Sequence, residues 1–366
     1  LWKGPAGRII PMMETAAPTH YWHLREDGRV QCDLCPRHCA LREGQRGLCF
    51  GRVRRGDAIV LTTYGRSSGF AVDPIEKKPL FHFYPGSAVL SFGTAGCNLA
   101  CRFCQNWDMS KAVTDDILAV EASPEAIADK AARLGCRSVA FTYNDPVAFH
   151  EYAVDTARAC RARGIATVAV TAGYVNPDPR AEFYAVMDAA NIDLKSFDDA
   201  FYHRYCGGRL APVLETLEHV AHHPATWLEV TTLLIPGLND SPAEIAALSA
   251  WVAEHLGLDT PLHFSAFHPA YRMTDRPSTP ASTLAEARRL ARRAGLRFVY
   301  TGNVVDPEGQ STHCPACGAL LMGRDWYRLT AWGLDAAGRC LACGTPCPGL
   351  FAKEPPCPTG RPRPAP

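Results

Sequence analysis

Three observations predict an α/β protein: a parallel sheet packed under helices, with a cysteine-rich module at each end. Between about residues 88 and 305, short β-type runs alternate with helical runs, the pattern of strands joined by crossover helices. Start and stop signals punctuate the helical runs. Groups of cysteines lie on both sides of this stretch and just after its first strand. Spacing alone leaves an open doubly wound sheet, a full barrel and a partial barrel as alternatives.

The elements follow in chain order. Residues 1–20 lack the long apolar core of a secretory signal and are expected to be poorly ordered. The sequence opens at Leu1, with Met12 and Met13 as alternative starts. Residues 21–87 form an arginine- and glycine-rich module in which Arg46, Arg52, Arg54 and Arg55 read as a basic patch or a solvated face. The core, 88–305, offers strands at Ala88–Gly93, 138–143, Ala166–Thr171, 191–194, Trp227–Leu234, Leu262–Ala266 and 298–300. Ser123-Pro124-Glu125 places a cap before a proline at the first helical position. Ser241-Pro242-Ala243-Glu244 adds the Glu of a capping box. Helical runs near 148–163 and 284–294 stop at Gly164 and Gly295. Residues 306–352 form a ribbon-like cysteine module, and the Pro-rich stretch 353–366 is expected to be disordered.

Composition excludes several classes. The 47% hydrophobic and 20% charged content suits a globular chain. A net charge of +1 gives no overall pull toward nucleic acid or anionic membrane. No apolar run approaches the roughly 18 residues of a membrane span. A soluble, cytoplasmic protein is the expectation.

The 16 cysteines are informative through their grouping. Without an export signal, CxxC-type pairs read as metal ligands rather than disulfides. Cys97, Cys101 and Cys104 form a C-x3-C-x2-C loop. Three thiolates fall one short of a closed zinc tetrahedron and of a four-cysteine electron-transfer cluster. The plain alternative is a zinc knuckle or redox dithiol missing a partner. On a [4Fe–4S] cluster, three ligands leave one iron open to a small molecule. The loop follows the first core strand, and parallel sheets build active sites at the carboxyl ends of their strands.

The run Cys101-Arg102-Phe103-Cys104-Gln105-Asn106-Trp107-Asp108 resembles the radical S-adenosylmethionine (SAM) enzymes of the AmmeMemoRadiSam system, relatives of the pyruvate formate-lyase activating enzymes. The likeness continues through Phe141-Thr142-Tyr143-Asn144-Asp145-Pro146, Asp193-Leu194-Lys195 and Leu234-Ile235-Pro236-Gly237. It reappears in His263-Phe264-Ser265-Ala266-Phe267-His268-Pro269 and Tyr300-Thr301-Gly302-Asn303-Val304, and spans about residues 21 to 352. The resemblance implies a partial (β/α)6 TIM-like barrel with a [4Fe–4S] cluster on Cys97, Cys101 and Cys104. It implies that SAM chelates the open iron and is reductively cleaved to methionine and a 5′-deoxyadenosyl radical, which abstracts a hydrogen from an unidentified substrate. It also implies a reductant such as flavodoxin or ferredoxin, and Memo-like and AMMECR-like partner proteins.

Other assignments combine strand-end position with that resemblance. Phe103 lies inside the last cysteine pair. Asn144 and Asp145 are expected to hold the SAM amino group; the family more often has Glu at the position of Asp145, which shifts weight to Asn144. The alternative there is a strand-end turn closed by Pro146. Thr171, Asp193 and Lys195 are expected around the SAM ribose, carboxylate or substrate, the last two being otherwise a plain ion pair. Thr232 and Ile235 read as lining the adenine pocket, with core packing as the alternative for Ile235. His263 and His268 read as SAM or substrate contacts, or as structural histidines.

Two further quartets read as metal sites. Cys32, Cys35, Cys39 and Cys49 (C-x2-C-x3-C-x9-C) suit zinc or an auxiliary iron–sulfur cluster. Cys314, Cys317, Cys340 and Cys343, with Gly318 and Gly344 behind their pairs, look like a zinc ribbon, iron being the alternative. Cys136, Cys160 and Cys206 read as ordinary buried thiols, while Cys347 and Cys357 have no assigned role. A modifier of a small molecule, lipid or macromolecule is favoured over a glycyl-radical activase, because simple activases lack such long extensions. A non-catalytic iron–sulfur carrier or zinc scaffold is the reading of another class.

Overall fold

The computed structural model describes residues 16–352 except 113–116, 119 and 224. Most of the N-terminal stretch and the whole Pro-rich tail, with Cys357, lie outside the described residues. Within the stretch expected to be poorly ordered, Ala17 and Pro18 pair with Leu61 and Val60, and Thr19 donates its buried hydroxyl to Ile59 O at 2.5 Å.

The main sheet has eight strands: β1 (Gly69–Pro74), β2 (Ala88–Gly93), β3 (Ser138–Phe141), β4 (Ala166–Thr171), β5 (Ala189–Asp193), β6 (Trp227–Leu234), β7 (Leu262–Ala266) and β8 (Val299–Gly302). From β2 to β8 every neighbouring pair is parallel, and each strand lies beside the next in sequence. A doubly wound sheet would reverse its order at a switch point; this one winds in a single direction. Its edges are β8 and β1, the latter antiparallel to β2. Six strand–helix units followed by β8 therefore make an open, partial barrel.

The longer helices that follow the strands are α1 (Pro124–Arg133), α2 (His150–Arg161), α3 (Pro177–Tyr184), α4 (Ala211–Ala221), α5 (Pro242–His255) and α6 (Ala281–Arg293). Strand residues of one parity, among them Phe92, Phe141, Ile192, Val230 and Phe264, meet Ile127, Tyr152, Leu217, Ile245 and Leu284 from the helices in one core. Ser123 and Ser241 cap α1 and α5 by accepting from Ala126 N and Glu244 N. Glu244 does not return to its cap as expected. Its carboxylate instead accepts from Ser196 Oγ and Phe197 N, which fastens the loop after β5.

The opposite face of the sheet is filled by residues 75–84, a segment without sequence periodicity. Ile75, Leu80 and Phe83 pack on Val89, Ala140, Val168 and Ala189. Buried Glu229 of β6 pins this segment by accepting from Phe81 N (3.0 Å) and His82 N (2.8 Å). It also accepts from Trp227 Nε1 (3.0 Å) and sits 2.7 Å from His263 Nε2. Arg324, from the C-terminal module, closes over the segment from outside. Its Nη2 donates to Phe81 O at 2.7 Å, and its guanidinium lies 4.1 Å from the Phe81 ring centre. The arginines read as a basic patch or a solvated face divide. Arg52 is buried against Glu151, Arg46 donates to Phe50 O and Thr62 Oγ1, and Arg54 donates to the carbonyls of Gly28, Leu41 and Gly56.

Glu76 is buried 4.0 Å from Arg324 and accepts from Gly86 N. Burial outweighs the arginine and pushes its carboxyl up to about 7. A raised folded-state value means that stability is fully present below the ordinary carboxyl range and is lost as pH climbs through about 7. Glu76→Gln removes that titration. The stability advantage of wild type over Glu76→Gln should shrink by about 3 kcal/mol between about pH 4 and pH 8, read from urea midpoints; a pH-independent difference would refute it.

Candidate active site

The cysteine loop leaves β2 at its carboxyl end and is tied to the ends of its neighbours. Asn144, just past β3, accepts from Thr94 N (2.9 Å) and donates to Gly96 O (2.6 Å). Asn98 donates to Tyr174 O beyond β4. Ala100 N and Arg102 N donate to the carbonyls of Cys206 and Tyr205. Gln105 Nε2 reaches His268 O beyond β7 at 2.8 Å. Gly96 is required by geometry: its φ is +85°, and a Cβ there would run into the Cys49 carbonyl.

Cys101 is buried, while Cys97 and Cys104 are half-buried. A hydrogen bond from the Cys206 thiol lowers Cys101 against the opposing effect of burial, helped by the nearby charges of Lys195 and Lys111. Burial, with the charge of Asp145, pushes Cys97 up to about 12. Cys104 Sγ lies 3.0 Å from Ser110 Oγ. Lys195 Nζ pairs with Asp193 at 2.8 Å, and this partly buried pair stands beside Cys101. Phe103 is turned inward, its ring 5.9 Å from that of Phe201.

Sulfur spacing separates the cysteine groups. Two thiolates on one tetrahedral zinc, at Zn–S of about 2.3 Å, stand about 3.8 Å apart. In the C-terminal module Cys314–Cys343 and Cys317–Cys340 measure 3.6 and 3.8 Å, and all four sulfurs lie within 4.8 Å of one another. Four sulfurs so placed could hold one metal ion. Among the described residues, neither the catalytic loop nor the N-terminal quartet brings three sulfurs so close.

The other expected residues divide. Asp145 is fully occupied: its carboxylate accepts from Val147 N, Ala172 N and the Thr171 hydroxyl, joining the ends of β3 and β4. Burial pushes its pKa up. Asn144 and Thr171 are thus committed to bracing the loop, leaving Asp193 and Lys195 as polar groups beside Cys101. Thr232 shares the helix-facing side of β6 with Val230 and Leu234, while Thr231 faces the concave side. Ile235 belongs to the same helix-side core. His263 is buried on Glu229 in support of the inner segment, and exposed His268 meets Ser278 through its ring. Sequence reasoning missed Lys111, whose Nζ donates to Leu99 O, and Cys206. A lone lysine and a lone cysteine carry no spacing signal, so only folding identifies them.

Asp145→Ala would leave two amides and a hydroxyl without an acceptor in a buried place. It should cost about 3 kcal/mol in chemical denaturation and reduce iron retention after reconstitution. Unchanged stability would refute the bracing role.

A model of the radical SAM superfamily matches residues 92–249. An uncharacterized protein of Methanocaldococcus jannaschii is 42% identical over 325 residues, covering 88% of this chain and 96% of that protein. The isethionate sulfite-lyase activating enzyme of Nitratidesulfovibrio vulgaris is 31% identical over 111 residues, 30% of this chain and 36% of that enzyme. The benzylsuccinate synthase activating enzyme of Thauera aromatica is 24% identical over 202 residues, 51% of this chain and 61% of that enzyme. The superfamily match starts at the end of β2 and takes in the three-cysteine loop, so this chain belongs to the radical SAM superfamily and is an enzyme of iron–sulfur and SAM chemistry, related to activating enzymes.

Proposed function

We propose that this enzyme binds a [4Fe–4S] cluster through Cys97, Cys101 and Cys104, cleaves SAM reductively, and abstracts hydrogen from a substrate that is not a glycyl-radical partner. The observation that carries the cluster assignment is the loop itself. It presents three thiols at the carboxyl rim of a parallel sheet, and these three do not all lie within 4.8 Å of one another. Lys111 and Lys195 add positive charge where thiolates gather, so the residues fit the cluster. When bound, it supplies the electron that splits SAM into methionine and a 5′-deoxyadenosyl radical. Lys195 and Asp193 have the charge to meet the carboxylate and amine or ribose of SAM. Asn144, Asp145 and Thr171 keep the loop in place beneath them.

Support for a modifier over an activase comes from the extensions. Residues 75–84 fill the concave face and Arg324 of the C-terminal module closes over them, so both extensions are structural parts of the barrel. The activase reading draws on the named relatives, each matched over only part of its length. A reductant of the flavodoxin or ferredoxin class, Memo-like and AMMECR-like partners, and a cytoplasmic location follow from the sequence resemblance and belong to this proposal. The C-terminal quartet is assigned to zinc on its sulfur spacing.

Anaerobically reconstituted protein with dithionite and SAM should form 5′-deoxyadenosine. Changing Cys97, Cys101 and Cys104 together to Ala should reduce it to background; full cleavage by that variant would sink the reading. Lys195→Met should raise the SAM KM about tenfold, about 1.4 kcal/mol, with a smaller effect on kcat. A glycyl-radical EPR doublet on a co-encoded partner would reverse the choice against the activase.

A further inference from the structure

The N-terminal quartet is set against the catalytic loop. Cys32, Cys35, Cys39 and Cys49 line one narrow recess, and Asn98 of the catalytic loop lines it too. Arg37, two residues after Cys35, donates from Nε to Asn98 O at 2.8 Å. The backbone of Cys49 touches Gly96 so closely that no side chain fits between them. One loop of each group therefore forms the wall of the other.

The recess has the chemistry of an anionic, sulfur-ligated group. Arg52 is buried at 1% exposure and lines the recess. One end of its guanidinium is held by Glu151, while Nε and Nη1 have no partner within the protein. Such buried orphan donors are costly unless something accepts from them, and sulfur-bound anions accept.

Spacing decides between one ion and a cluster. In the C-terminal module the four sulfurs close to the distances of a single tetrahedral zinc. The N-terminal four surround a recess with no three of them within 4.8 Å of one another. Several irons bridged by sulfide need that wider cage, and four cysteines complete it without an open position.

We propose that Cys32, Cys35, Cys39 and Cys49 hold a second iron–sulfur cluster, packed against the catalytic loop, that passes electrons to the first. The relay rests on the proposed SAM cleavage; the site does not. An external one-electron donor of the flavodoxin or ferredoxin class reduces the second cluster, and that electron moves to the first. Its delivery to SAM breaks one carbon–sulfur bond, giving methionine and a carbon radical that takes a hydrogen atom.

The test uses the full chain, reconstituted anaerobically with iron, sulfide and zinc. Wild type should hold about eight irons and one zinc, or about six irons where the second cluster is of the two-iron kind. The Cys97→Ala/Cys101→Ala/Cys104→Ala variant should keep the second cluster, with a dithionite-dependent EPR signal that SAM does not alter. About four irons with two zincs in wild type would overturn the site. For the relay, protein reduced and freed of excess dithionite should release about two equivalents of 5′-deoxyadenosine per chain, against about one for Cys35→Ser. One equivalent from wild type holding both clusters would overturn it. No product from such protein would refute the proposed function and its relay, while the metal ratio would still establish the site.

Discussion

A single buried carboxylate organises this barrel. Glu229 stands on the concave face of β6 and binds two consecutive amides of residues 81 and 82, the Trp227 indole and His263. A charge at this depth is tolerated only because its lone pairs are filled by donors. Those donors come from three separate parts of the chain. The inner segment that they hold carries Phe81, on which Arg324 of the C-terminal module stacks and bonds. Barrel, N-terminal segment and C-terminal module are therefore one packed body, coupled through a few polar contacts in an apolar interior.

That packing directs the chemistry to one rim. With residues 75–84 occupying the concave face at the level of Asn191 and Glu229, the remaining polar groups gather at the strand ends. There Asn144 and Asp145 spend their hydrogen bonds on rigidity, and the partly buried Asp193–Lys195 pair remains beside Cys101. A site that handles a reactive radical benefits from such division, because a fixed frame positions the reacting groups and excludes water. The N-terminal module contributes to the same frame. Its Cys49 carbonyl and the glycine at position 96 are fitted to each other, so the two cysteine groups cannot move independently.

Much of the fold was legible because the signals were local. Strand runs such as Ala88–Gly93 and Trp227–Leu234 are bounded by turn residues, and Ser123 and Ser241 cap helices where their side chains predict. The cysteine spacings were legible for the same reason. The edge strand β1 and the inner segment carried no periodic pattern, since their partners are distant in sequence. Residue roles were harder still. Parity along β6 distinguishes Thr231 from Thr232 only once the buried faces are known, and the capping-box Glu244 found stronger partners in another loop.

The sequence by itself determined the repeated strand–helix order, the three-cysteine loop at the first strand end, and the presence of two outer quartets. These depend on residue type and short spacing, which the unfolded chain already possesses. The tertiary structure decided the partial barrel, the filling of its concave face, and which polar residues brace the loop rather than face the opening. It also decided that one quartet closes to within 4.8 Å, while among the described residues the other brings no three sulfurs that close. Distances between sulfurs from separate loops are set by the packing of those loops, and no spacing along the chain encodes them.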